Sequence, residues 1–129
     1  MASLFTRIVN GEIPCHRLAE DDRYLAFLDI RPVRRGHALV IPKQEVDYLF
    51  DLDDELLGRI LCFARPVAKA IERVVPCKRI GMVVFGLEVP HAHIHLIPVD
   101  KMSDLDFQQA RPAETESLNA LANAIRAQL

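Results

Sequence analysis

Three of the chain's five histidines, His91, His93 and His95, stand at alternate positions within five residues. In an extended chain, alternate side chains share a face. Three imidazoles would therefore line one face of a strand, while Ala92, Ile94 and Leu96 point the other way into a core. Three buried rings in register each need a partner, so the run reads as a site rather than as filler. Two chemistries use such a row. Histidines two apart can share a zinc ion, but the outer pair lies roughly 6.5–7 Å apart along a strand, so a further ligand must come from elsewhere. His37 could supply it. The alternative is nucleophilic. An unperturbed histidine titrates near about 6.5, so neutral imidazole is abundant at neutral pH and can attack an electrophile while a neighbouring ring donates a proton to the leaving group. A phosphorus centre suits this better than a carbonyl, because neither a Gly-rich oxyanion motif nor a Ser nucleophile pattern is visible. A Walker-type phosphate loop is also missing.

The elements that must position these rings follow from composition and periodicity. Residues 3–9 mix apolar and polar groups at near-helical spacing and stop at Asn10-Gly11, which predicts a short helix. Residues 16–20 form a weak strand candidate, and 24–28, rich in aromatic and apolar groups, a clear one. After the Arg31-Pro32 loop and Gly36, residues 37–41 read as a short buried strand stopped by Pro42. The segment 53–75 is the clearest helix, with Leu57, Ile60, Leu61, Ala64, Val67, Ala68, Ile71 and Val75 as its apolar stripe and Pro66 as a kink. An aspartate among Asp51, Asp53 and Asp54 would cap its start. Residues 79–85 read as a strand at hairpin spacing from the histidine strand over 89–98, and 100–109 as polar loop. A last helix over about 112–128 carries Leu118, Leu121, Ile125 and Leu129, a narrow stripe that suits the domain surface or a partner subunit. Together these predict an α+β fold: an antiparallel sheet of about five strands, one long helix and a C-terminal helix, in a single domain over 1–129 with its core at about 3–100.

A chain of 129 residues, half of them hydrophobic, suits one core of ordinary size. Its formal net charge of −2 offers no electrostatic case for binding nucleic acid or an anionic membrane. Three cysteines at unpaired spacings fit a reduced compartment. With no signal-peptide pattern and no apolar run near the roughly 20 residues that span a bilayer, a cytoplasmic location is expected.

The run from Val89 to Pro98, with His91-Ala92-His93-Ile94-His95 at its centre, resembles the signature of the histidine triad nucleotide-binding proteins. Phe5 through Ile8, Gly11-Glu12-Ile13-Pro14, Ala26 through Ile30 and Gly36 through Lys43 follow that family in order and spacing, so the likeness extends to Pro98. The resemblance implies a small α+β fold that dimerises into one continuous sheet. It implies hydrolysis of nucleoside phosphoramidates or related nucleotide conjugates, dinucleoside polyphosphates among them, with no cofactor and no catalytic metal. His93 maps to the ring that attacks the α-phosphorus to form a covalent nucleotidyl-histidine, which water then opens to release the nucleoside monophosphate. His95 maps to the group near the leaving atom, and His91 and His37 to supporting histidines. Asp29 matches the acid that takes the ribose hydroxyls. Leu4, Phe5, Ile8, Phe27 and Ile30 match positions lining a purine base.

The chain also departs from the family pattern. Many bacterial relatives bind a structural zinc through two N-terminal cysteines and a histidine after the Pro-Lys step, where this chain has Ser3, Thr6 and Glu45, so that zinc is expected to be absent. The stretch before the triad is short, lacks the family's asparagine and carries Leu87 in place of its glutamine. Glu88 near an anionic substrate would repel it. Pro90 removes a backbone donor just ahead of the triad, which predicts an edge or a bulge there.

Overall fold

The computed structural model describes all 129 residues. Its chain order is α1 (Leu4–Val9), β1 (Arg17–Glu20), β2 (Tyr24–Leu28), β3 (Ala38–Pro42), α2 (Asp54–Val74), β4 (Arg79–Val83), β5 (Ile94–Val99) and α3 (Thr115–Arg126). The strands form one antiparallel sheet in the order β1-β2-β3-β5-β4, so the fold is α+β.

The sheet separates two clusters of unequal size. Tyr24, Ala26 and Leu28 of β2, Ala38 and Val40 of β3, and Ile94 and Leu96 of β5 alternate onto one face, where they meet α2 and α3 in a cluster of 20 buried residues. The intervening Leu25, Phe27, Leu39 and Ile41 turn to the other face and pack with Phe5 of α1 in a cluster of five. Both central strands are therefore buried on both sides, which is why they read as near-continuous apolar runs. The smaller cluster floors the site.

Asp53 caps α2 by accepting the Leu56 N–H at 2.8 Å, and Asp54 and Glu55 sit in its first turn, where the helix dipole favours negative charge. Pro66 lies inside the helix, which continues on both sides of it. The buried stripe is Leu56, Ile60, Ala64, Val67, Ala70 and Ile71. The expected stripe was displaced at its start. Leu61 is 51% exposed, because Leu57 and Leu61 sit about 100° round the axis from Leu56 and Ile60. The Tyr24 hydroxyl donates to the Leu56 carbonyl at 2.8 Å and ties this helix to β2.

Four expectations need correction. The histidine strand begins at Ile94 rather than Val89: β4 stops at Val83, opposite His95, and ahead of Ile94 the chain leaves the ladder, the Ala92 N–H donating to the Val46 carbonyl beyond β3 at 2.7 Å. The expected strand over 79–85 ends at Val83, its last residue paired with β5. The stretch 100–109 contains two short 3-10 turns, Met102–Leu105 and Phe107–Gln109, instead of plain loop. Finally, α3 belongs to the core: Leu118, Leu121, Ala122 and Ile125 join the larger cluster, while Leu129 lies past the helix and is exposed. Ala122 widens the stripe seen in the sequence. Ile125 is fully buried, so Ile125→Ala is expected to lower stability by about 2–4 kcal/mol in urea unfolding. A loss below about 0.5 kcal/mol would mean that α3 does not pack as described. No helix is long and apolar enough to cross a membrane.

Candidate active site

A cavity of about 560 Å³ opens on the face of the smaller cluster. Its walls include Leu4, Phe5 and Ile8 from α1, Phe27 from β2, Asp29 and Ile30 from the loop that follows, and His93 and His95. The six residues expected to hold a nucleoside and two of the four expected to act on it thus share one space. Leu4 and Ile30 are exposed at its rim, and Phe5 and Phe27 are buried at its floor. His91 and His37 are fully buried behind it.

The rings form a continuous row although the first two lie outside the ladder. His93 stands 5.1 Å from His95 between centroids, His95 stands 5.1 Å from His37, and Phe5 packs edge-to-face with both His91 and His93. Hydrogen-bond partners locate the protons. His93 Nδ1 lies 2.7 Å from the His91 carbonyl oxygen, which can only accept, so Nδ1 carries the hydrogen and in the neutral ring Nε2 has the lone pair. The Val33 N–H donates to His37 Nδ1 at 3.0 Å, so His37 carries its hydrogen on Nε2 and donates it to His95 Nδ1 at 2.9 Å. His95 is left with its hydrogen on Nε2. One ring of the wall thus has a free lone pair, and its neighbour has a free N–H.

Burial holds the supporting rings neutral. Burial, reinforced by the neighbouring His95, pushes His37 down to about 3, and burial with His93 nearby pushes His95 down to about 4. Burial lowers His91 as well. His91 donates from Nε2 to the Pro42 carbonyl at 2.7 Å and accepts the Ser3 hydroxyl on Nδ1 at 2.8 Å. The Ser3 N–H and the Thr6 hydroxyl both donate to Glu45 Oε1 at 2.6 Å. Ser3, Thr6 and Glu45 therefore fasten α1 to the back of the triad by hydrogen bonds.

Gly36 sets His37 in place. Its φ of +93° is open to glycine, and a Cβ there would lie 3.0 Å from Val75 and 3.1 Å from Pro98. Asp29 Oδ1 accepts the Arg31 N–H at 2.8 Å, and burial raises its carboxyl above the usual range. Asp29, His37 and His95 each present an atom within 4.8 Å of the others, a spacing that a metal ion could use. Yet the His37 atom facing that point is Nε2, which bears the hydrogen because Val33 occupies Nδ1. A metal would need that lone pair.

The sequence reading passed over Phe85, Arg31 and Phe107 as cavity residues. Arg31 stands in a loop, Phe85 reads only as the end of a strand, and Phe107 sits among polar residues. Ahead of the triad the wall is Phe85, Gly86, Leu87, Glu88 and Val89, a run with no amide or hydroxyl side chain.

Comparison with known proteins places this geometry. Residues 10–102 match the HIT domain model. An adenosine 5′-monophosphoramidase of Schizosaccharomyces pombe is 43% identical over 100 residues, covering 76% of this chain and 74% of that protein. An uncharacterised HIT-like protein of Borreliella burgdorferi is 34% identical over 120 residues, with 88% and 86% covered. Among solved structures, a Hit-like protein from Bartonella henselae involved in cell-cycle regulation superposes with a TM-score of 0.87 at 33% identity, over 98% of this chain and 96% of that one.

Proposed function

The chain belongs to the HIT family, and on that premise we propose that it hydrolyses nucleoside 5′-phosphoramidates through a covalent intermediate on His93. The observation that carries this reading is the placement of protons on adjacent rings: a lone pair on His93 Nε2 beside an N–H on His95 Nε2, both on one cavity wall. The adenosine 5′-monophosphoramidase of Schizosaccharomyces pombe among its relatives supports the same class.

In this mechanism His93 Nε2 attacks the α-phosphorus and a new P–N bond forms. The bond to the departing nitrogen breaks, its electron pair going to that nitrogen, which takes up a proton from solvent at the cavity mouth. The His95 N–H donates a hydrogen bond as charge builds there. Positive charge on the His93 ring is met by its Nδ1–H bond to the His91 carbonyl. Water then attacks phosphorus and the P–Nε2 pair returns to His93. The nucleoside monophosphate leaves, and the proton of water passes to solvent. Asp29 keeps Oδ2 for the ribose hydroxyls, and Phe5, Ile8, Phe27 and Ile30 provide an apolar slot for a purine. The hydrogen on His37 Nε2 supports a route without metal.

A second reading has its own support. The wall before the triad offers no side-chain donor to phosphate, which would suit a nucleotide-binding protein with little catalysis. The unpaired outer edge of β4, where Met82 is exposed, supports pairing with a second copy.

Incubation with adenosine 5′-phosphoramidate in excess chelator tests the proposal. Adenosine monophosphate should accumulate, and mass spectrometry after an alkaline quench should find a nucleotidyl group on His93. Tight monophosphate binding with no turnover would favour the second reading. Activity lost to chelator and restored by zinc would remove the metal-free mechanism.

A further inference from the structure

The matching family model ends at residue 102, and the chain beyond it supplies part of the cavity wall. The two 3-10 turns after β5 carry Phe107 back across the row of rings. Its centroid lies 4.9 Å from His95, 5.9 Å from His37 and 4.9 Å from Phe85, each edge-to-face. The segment is fastened on both sides of that ring. Asp104 accepts the Asp100 and Lys101 N–H groups at 2.8 and 3.1 Å and pairs with Arg34 at 2.5 Å. Downstream, the Arg111 and Ala113 N–H groups donate to the Pro32 and Ile30 carbonyls at 3.3 and 3.0 Å. Both anchors reach the loop that leads into His37, so Phe107 is held at a set distance from the catalytic rings.

With the nucleoside against α1 and β2, the departing group is left with the wall on the His95 side. That wall is aromatic: Phe107 is half-buried, and Phe85 is 52% exposed beside the cavity. Its charges also matter. Arg31 is the one lysine or arginine lining the cavity, against Asp29 and Glu88. Each further phosphate on a departing group would add negative charge with no second cation to meet it.

We propose, resting on the phosphoramidate reading above, that Phe85 and Phe107 form the leaving-group subsite and select conjugates whose departing amine carries a flat apolar group over those whose departing group is a phosphate chain. An aromatic amine gains edge or offset contacts with both rings as it leaves the α-phosphorus. A nucleoside polyphosphate brings charge to a surface that cannot solvate it.

Three adenosine derivatives test this: the unsubstituted phosphoramidate as reference, its N-benzyl analogue, and diadenosine tetraphosphate. Benzylamine and ammonia are similar in basicity, so the ratio of their kcat/KM values reads the subsite rather than leaving ability. The benzyl compound should exceed the reference by ~10-fold, with the tetraphosphate below both. Phe107→Ala should bring the benzyl ratio close to one, and Phe107→Tyr should keep it. Should Phe107→Ala fail to fold by circular dichroism, Phe107→Leu carries the same comparison, with a reduced ratio expected. A wild-type benzyl ratio at or below one, a ratio unmoved by losing the ring, or preference for the tetraphosphate would each overturn the subsite while leaving the reference reaction intact. Failure of all three compounds would overturn the phosphoramidate reading itself, and the subsite with it.

Discussion

Replacing His93 with alanine is expected to lower kcat for adenosine 5′-phosphoramidate at least ~1,000-fold and to abolish the nucleotidyl adduct. No other ring could take over the proposed attack. His95 Nε2 bears a hydrogen, His37 is committed to Val33 and His95, and His91 is committed to Pro42 and Ser3. The fold should tolerate the change, because His93 lies on the cavity wall and its one hydrogen bond is to a neighbouring carbonyl. An unchanged melting temperature with lost turnover is the expected pair of results. Turnover within tenfold of the wild type would mean that water attacks phosphorus directly, and the covalent route would fall.

Acid should weaken the fold at a milder pH than carboxylate titration alone would require. His37 and His95 titrate near about 3 and about 4 in the folded chain, against about 6.5 when unfolded. Their folded values are depressed, so the unfolded chain binds more protons between those limits. Stability is complete above about pH 6.5 and falls as pH drops toward the folded values. Between pH 6.5 and 5 each ring contributes a loss of up to about 2 kcal/mol. Asp29 acts in the opposite sense, since its raised carboxyl takes up a proton earlier in the folded state. Asp104 and Glu45, held low by the backbone N–H groups of Asp100 and Ser3, add their losses only at more acidic pH. Urea midpoints at pH 7, 6 and 5 measure the slope. In His37→Gln the amide can accept from Val33 and donate to His95 without titrating, so the slope should shrink by close to one proton. A midpoint that stays level from pH 7 to pH 5 would refute the neutral relay.

Part of this could be read directly from the residues. Strands 24–28 and 38–42 are apolar on both faces and bounded by turn residues, so their pattern has one reading. The alternation told that His93 and His95 share a face, and their rings lie 5.1 Å apart on the cavity wall, whereas His91 is buried behind it. It could not tell where the strand begins, because a ladder depends on how far the neighbouring strands run alongside, and β4 stops at Val83 while the Ala92 N–H turns to the Val46 carbonyl. Contacts across long separations were equally hidden. The hydrogen bond between His37 and His95 spans 58 positions, and nothing local to either residue announces it. Phe107 lay in a stretch whose composition reads as solvated. Its direction is set by Asp104 meeting Arg34, a pairing that only the folded chain brings about.

The break between the triad's first two rings and the ladder bears on how such a protein can diverge. From Ile94 onward, β5 takes its register from β3 and β4, and His91 is moored separately to Pro42 and α1. The run between Val83 and His91 lies outside both restraints, so changes in its length or composition bear on the cavity wall, Phe85 included, more than on the backbone that carries the rings. One short segment can thus change what the cavity admits while the sheet and α1 go on holding the histidine rings in place.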